Sequence, residues 1–207
     1  MTMRTIRWLI AITAAPCALL AQAPSTAAPS AGAEPMPEAQ QIAAAILPLP
    51  KEFRDDATVL GYRAGTPGLV TLRKGAGSFI CLATDPAANQ FHVACYHRSL
   101  EPFMARGRDL RAHGTKGEQV DTVRFKEIKS GKLAFPKGPA ALYTLTGPAG
   151  SFDPATGTAA AAKPLSVIYI SGATPASTGL SAQPIPGAPW IMYPGTPKAH
   201  IMLVPKM

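Results

Sequence analysis

Histidine is scarce in this chain of 207 residues, and His97 is the first of two that stand where a side chain could do chemistry. It ends a predicted strand beside Cys95, directly before a predicted helix. A histidine there could serve as a ligand or as a general base, because imidazole titrates near neutral pH and binds metals. The alternative is a histidine that caps backbone groups at the junction.

A second group of ligand-type side chains lies in a predicted hairpin at the end of the chain. The period of two in a strand puts His200 and Met202 on one face, and Trp190 and Met192 on one face of the partner strand. If the register brings them together, His200, Met192 and Met202 form the soft ligand set that suits copper. The alternatives are a pocket lined by Trp190, Met192 and His200, or a methionine-rich packed strand pair. We expect a small-ligand or metal site here or near His97, with copper or zinc as the metal.

Arginines surround the helix that the sequence predicts over 99–113. The candidates for anion binding are Arg98, Arg106 and Arg108, with Arg111 farther along the helix. A guanidinium group binds a carboxylate or phosphate through two parallel hydrogen bonds, so these residues could form an anion-binding surface. The alternative is a solvated helix face on which Glu101 and Asp109 pair with the arginines.

Two cysteines, Cys81 and Cys95, fall on facing strands of a predicted hairpin whose connection spans 84–90. They do not form a Cys-x-x-Cys pair, so we predict a structural disulfide rather than free thiolate chemistry. A bridge that closes so short a loop stabilises the fold by about 3 kcal/mol in the chain-entropy model.

Sequence signatures of common enzymes are missing. The chain contains no G-x-S-x-G, H-E-x-x-H, Walker A or G-x-G-x-x-G pattern. Because catalytic triads are assembled in space rather than along the chain, a hydrolase with His97 or His200 as base stays open as an alternative.

The first 23 residues have the three parts of a secretory signal peptide. Arg4 and Arg7 supply the positive region, an apolar run follows over 8–15, and Ala21 and Ala23 provide the small residues of a cleavage site. Residues 24–37, rich in proline and alanine, are predicted to be a disordered spacer. We therefore expect a periplasmic or secreted protein that does not span the membrane after processing.

Cleavage of residues 1–23 would lower the net charge from +8 to +6. The cations form no long run and aromatic residues are few, so the sequence does not indicate nucleic-acid binding. A small molecule or a component of the cell envelope is the expected partner.

The 22 prolines and 18 glycines argue against a helix bundle, because both residues interrupt helices. We predict a single α+β domain over 38–207, with Pro/Gly-rich loops, one disulfide-tied hairpin and a small antiparallel sheet that packs one or two helices. The predicted helices span 37–46, 99–113 and 118–130. The predicted strands span 58–62, 69–72, 78–83, 91–97, 140–146, 165–171, 190–193 and 200–204.

The run Cys95-Tyr96-His97, continued by Leu100 to Arg108, resembles a recurring string in exported bacterial proteins that have no assigned activity. The closing block from Pro189-Trp190 to Met202 is similar to the end of the same proteins. The resemblance implies export and no particular reaction. The sequence thus favours an exported binding module; the alternatives are a small envelope hydrolase and a surface-interaction protein with a basic helix face.

Overall fold

A computed structural model describes residues 34–204, so the predicted signal peptide and most of the predicted spacer lie outside the described residues. The helices are α1 (Glu38–Ala45), α2 (Glu101–Ala112), α3 (Gln119–Lys129) and the single turn α4 (Pro175–Thr178). The strands are β1 (Thr58–Gly61), β2 (Val70–Arg73), β3 (Phe79–Leu82), β4 (Gln90–His97), β5 (Ala140–Pro148), β6 (Lys163–Tyr169), β7 (Trp190–Met192) and β8 (His200–Leu203).

All eight strands join one sheet in the order β2-β1-β3-β4-β5-β6-β8-β7. Neighbouring strands are antiparallel except β1 and β3, which run parallel. The α+β class is confirmed, but the prediction of a small sheet is wrong. Pairings between strands that are distant in the sequence, such as β6 with β8, join the predicted hairpins into one sheet. No local sequence pattern indicates these pairings.

One face of the sheet is covered by α1. Ala45 of α1 and Leu49 pack against Val59, Cys81 and Cys95, all of which are buried. Cys81 and Cys95 are directly opposite one another in the β3–β4 pair and form the predicted disulfide, which is confirmed. Residues alternate along a strand, so this face takes the odd-numbered side chains of β4.

The opposite face is covered in part by α2, which in turn packs on α3. Leu100 and Met104 contact Ile80 and Tyr96 of the sheet. One side of α2 and the turn before it supplies this contact, since Leu100, Phe103 and Leu110 are buried. No helix among the described residues covers the part of this face around Ala94, which is only half-buried.

Two contacts position α2. A 3-10 turn at Arg98–Leu100 precedes the helix, and the His97 ring accepts a hydrogen bond from the Ser99 backbone. The close neighbour of Gly107 is the guanidinium of Arg124 from α3.

The two long connections are folded against the sheet. Phe152, in the connection between β5 and β6, is buried beside Phe91 and Val93. The 172–189 segment contains α4, and its Leu180 packs near Ile191 of β7. No helix within residues 34–204 combines the length and the apolar character that crossing a membrane requires.

Candidate functional site

A cavity of about 290 Å³ lies between the sheet and α2, on the face that α2 covers only in part. Its floor is formed by β3, β4, β5 and β6 through Leu82, Ala94, Leu142 and Tyr169. The polar side chains in its wall are Tyr96, Arg108, Arg111, Arg124, Tyr193, Lys198 and His200. An apolar floor with a few convergent polar groups is the usual composition of a small-molecule site.

Arg124 is the most buried cation in this wall, with 6% of its surface exposed. It pairs with Asp121, one turn earlier on α3, and donates from Nη1 to the carbonyl of Phe103 at 3.1 Å. Its Nε is buried and has no hydrogen-bond partner within residues 34–204. A buried donor without a partner costs free energy, so Arg124 is held in this position at some expense of stability.

Lys198 pairs with the same carboxylate and lies 3.4 Å from the centre of the Tyr193 ring. Burial opposes ionisation of Asp121, but the hydrogen bonds from Lys198 and Arg124 outweigh it and hold the pKa of Asp121 below its ordinary value. Asp121 is therefore a carboxylate that serves two cations at once.

Arg111 brings a third cation close to this pair. A Cβ atom at Gly107 would lie 2.8 Å from Nη1 of Arg124 and 3.2 Å from Nη1 of Arg111, so these two nitrogens are at most 6.0 Å apart. The guanidinium of Arg111 makes no ion pair with the part of the chain that the structure describes. Burial, together with the charge of Arg111, holds the pKa of Arg124 below its ordinary value despite Asp121. Arg111 thus adds a third cation beside the two that share the carboxylate of Asp121.

Arg108 is held by a different set of partners. It donates to Glu101 Oε1 at 2.7 Å and to the Tyr96 hydroxyl at 2.9 Å, and that hydroxyl donates to the other oxygen of Glu101. Burial and the hydrogen bond to Glu101 raise the pKa of Tyr96 well above its ordinary value. The charge of Arg108 is therefore balanced within the wall.

His200 lies between two tyrosine rings, with its centroid 4.9 Å from that of Tyr169 and 5.7 Å from that of Tyr193. Its Nδ1 is 2.7 Å from the carbonyl oxygen of Lys198, so Nδ1 carries the donated proton and Nε2 is left as an acceptor. Burial, reinforced by the charge of Lys198, lowers the pKa of His200 despite that hydrogen bond. At neutral pH the ring is uncharged.

Tyr193 holds its place with a strained backbone. Its φ of 53° is in the left-handed region, which a bulky residue seldom adopts. Strain of this kind persists where the surroundings impose it, and here the ring is fixed over Lys198 and beside His200.

The side chains that line the cavity are better suited to binding an anion than to nucleophilic catalysis. Among those that the structure describes, the cavity wall has no serine, threonine, cysteine or carboxylate to act as a nucleophile. Likewise, no cluster of three His, Cys, Asp or Glu side chains within residues 34–204 is arranged to hold a metal ion.

The register predicted for the last hairpin is present. Met192 pairs with His200 and Trp190 pairs with Met202, so all four side chains belong to the cavity face of the sheet. Only His200 lines the cavity; Trp190, Met192 and Met202 are half-buried beyond it. The His200 imidazole and the thioethers of Met192 and Met202, which are ligands for a soft metal, occupy neighbouring positions of this face.

Two other predicted site residues, His97 and Arg98, do not line this cavity. His97 lies on the α1 face, where it caps the 3-10 turn and its ring meets Phe79 edge-on at 5.8 Å. Arg98 donates to the carbonyls of Gly75 and Gly77, and so ties β4 to the preceding loop.

Arg106 pairs with Glu127 and Asp109 on the outer side of α2. Of the arginines predicted to bind an anion, Arg108 alone lines the cavity, and it does so beside Arg111. The three predicted arginines therefore do not converge on one ligand.

Sequence reasoning missed Arg124, Tyr169, Tyr193 and Lys198. A signal for Arg124 was present, because it follows buried Val120 by four residues and so occupies the apolar face of α3. The others depend on how β6, β8 and the turn before β8 are placed, which no local pattern indicates.

We compared the chain with family models, with curated proteins and with solved structures, and none of the three comparisons gave a match.

Proposed function

We propose that the protein is an exported binding module that holds a small organic anion in the cavity between the sheet and α2. The observation that carries the proposal is that Arg111 lies close to Arg124, which shares the single carboxylate of Asp121 with Lys198. Two formal positive charges are left over beside an apolar floor. An anion placed there gains hydrogen bonds that two guanidinium groups can donate.

The aromatic wall supports an organic rather than a purely inorganic ligand. Tyr169 and Tyr193 flank His200, and the floor beneath them is apolar. Burial raises the pKa of Tyr169 to about 12, so its hydroxyl is a neutral donor in the physiological range. The neutral His200 supplies an acceptor for a hydroxyl or amine on the ligand.

The disulfide supports export, since structural disulfides persist in oxidising compartments. The surface-interaction alternative is less well supported, because two of the three arginines predicted to bind an anion, Arg106 and Arg108, are already paired with acidic residues. A hydrolase that used water as its nucleophile would fit this cavity better than one that used a serine, threonine or cysteine, since none of these is among the lining residues that the structure describes.

Isothermal titration with octanoate tests the proposal, with octyltrimethylammonium as a probe of the same length and opposite charge. We expect octanoate to bind and the cation not to bind. Replacement Arg111→Gln should weaken octanoate binding roughly tenfold or more, since a hydrogen bond to a charged group contributes about 1.5–3 kcal/mol.

Arg106→Gln is the matched control, because it makes the same charge change on the same helix outside the cavity. Its Kd for octanoate should stay within about twofold of the unsubstituted protein. Equal weakening by both substitutions would point to net charge rather than the cavity, and binding of the cation as tightly as octanoate would refute the proposal.

A further inference from the structure

The cavity does not end at the α2 wall. A second cavity of about 250 Å³ shares Leu82 and Ala94 with it, and a third, of about 630 Å³, shares Arg108 and Arg111. The second and third cavities also share lining residues with each other, namely Tyr62, Leu69 and Asp85. The three spaces therefore adjoin one another across the uncovered part of the sheet, and we name them together the α2 trough.

The trough crosses several strands of the sheet. From His200 on β8 its floor passes over β6, β5 and β4 to Leu82 on β3, which is four strand spacings or about 19 Å. Ala94 lies one strand spacing before the β3 end of this path, on the part of the face that no helix within residues 34–204 covers. Its small side chain leaves this part of the trough open.

The two ends differ in charge. Arg124 and Lys198 stand toward the β8 end, and Arg111, which lines both the first and the third cavity, extends from α2 with its Nη1 at most 6.0 Å from that of Arg124. The exposed carboxylate of Asp85 stands at the other end, where the floor is formed by Leu69 and Tyr62. An anion is attracted to the first end and repelled from the second, whereas an apolar chain fits the floor between them.

We infer that the ligand is a single-chain amphiphile, with a carboxylate head group bound by Arg111 and Arg124 and an alkyl chain lying over Ala94 toward Leu69. This inference rests on the proposed function and names its ligand class. The head group balances the excess positive charge of Arg111, Arg124 and Lys198, and the chain covers apolar surface that is otherwise open to water.

Titration with butanoate, octanoate and dodecanoate tests the inference. Each methylene group buried on binding tightens the complex about fourfold, so octanoate should bind at least tenfold more tightly than butanoate. Ala94→Phe should fill the trough and remove this dependence on chain length, while butanoate keeps its affinity. Ala160→Phe, at an exposed position of the β5–β6 connection outside the trough, is the matched control and should bind all three as before.

A second variant covers the case in which Ala94→Phe does not fold. Leu69→Gln replaces a half-buried side chain in the loop between β1 and β2, and should weaken dodecanoate but not butanoate. Equal affinity for all three carboxylates overturns the inference and leaves the proposed function standing. If none of the three carboxylates binds, both the inference and the proposed function are overturned. The same holds if the protein binds anionic vesicles but no free carboxylate.

Discussion

Gly107 offers a way to perturb the charged wall without removing a charge. In a helix interior, replacing Gly with Ala ordinarily increases stability by about 1 kcal/mol. Here the new Cβ would stand 2.8 Å from Nη1 of Arg124, a contact that real Cβ atoms essentially never make. Arg111 can swing into solvent, but Arg124 is buried and is held by Phe103 and Asp121.

The displaced guanidinium must give up its hydrogen bond to the Phe103 carbonyl, which costs about 1.5–3 kcal/mol for a charged donor. We therefore expect Gly107→Ala to lower the free energy of unfolding by about 0.5–2 kcal/mol, after the gain in helix propensity is subtracted. Urea denaturation followed by circular dichroism measures this change.

The same substitution in an Arg124→Met background provides the control. Without the guanidinium the contact is gone, so Gly107→Ala should become stabilising by about 1 kcal/mol, the ordinary helix value. The two effects should differ in sign, which a double-mutant cycle resolves. If Gly107→Ala is stabilising in both backgrounds, Arg124 does not pack on Gly107 and the account of the wall is wrong.

Three further predictions concern the same structure. Asp121→Asn should lower the free energy of unfolding by about 2 kcal/mol, because it leaves two partly buried cations without a counter-ion; an unchanged urea midpoint would contradict the shared ion pair. Because burial lowers the pKa of His200, the folded state binds fewer protons than the unfolded state below about pH 6.5, so stability should fall as pH drops from 7 to 5. This fall should be shallower in His200→Gln, and identical pH profiles would disprove the assignment. Reduction of the Cys81–Cys95 bridge should cost about 3 kcal/mol of stability, and a melting temperature unaffected by dithiothreitol would show otherwise.

Local patterns predicted most elements because local physics determines them. The sequence predicted the helix over 99–113 that α2 confirms, and the connection over 84–90 predicted that Cys95 faces Cys81. Strand pairing within the β3–β4 and β7–β8 hairpins followed from short connections. The order of eight strands did not follow, because pairings such as β6 with β8 join segments separated by a long loop.

The cavity was only partly predictable for the same reason. His200 stood out because histidine is rare, and Arg108 and Arg111 because they lie on a recognisable helix. The periodicity of α3 places Arg124 on the apolar face of that helix, but it does not indicate what Arg124 contacts. The contact with Gly107 depends on the packing of α3 on α2, which joins residues 17 positions apart in the sequence.

The central claim is that an organic anion occupies the cavity between the sheet and α2. The most direct test is nuclear magnetic resonance of the protein with ¹³C-labelled octanoate, in which intermolecular Overhauser effects report contacts between ligand and methyl groups. The account predicts contacts from the octanoate chain to Leu82 and Leu142, which form the cavity floor. Contacts confined to methyl groups elsewhere, or none at saturating octanoate, would contradict it.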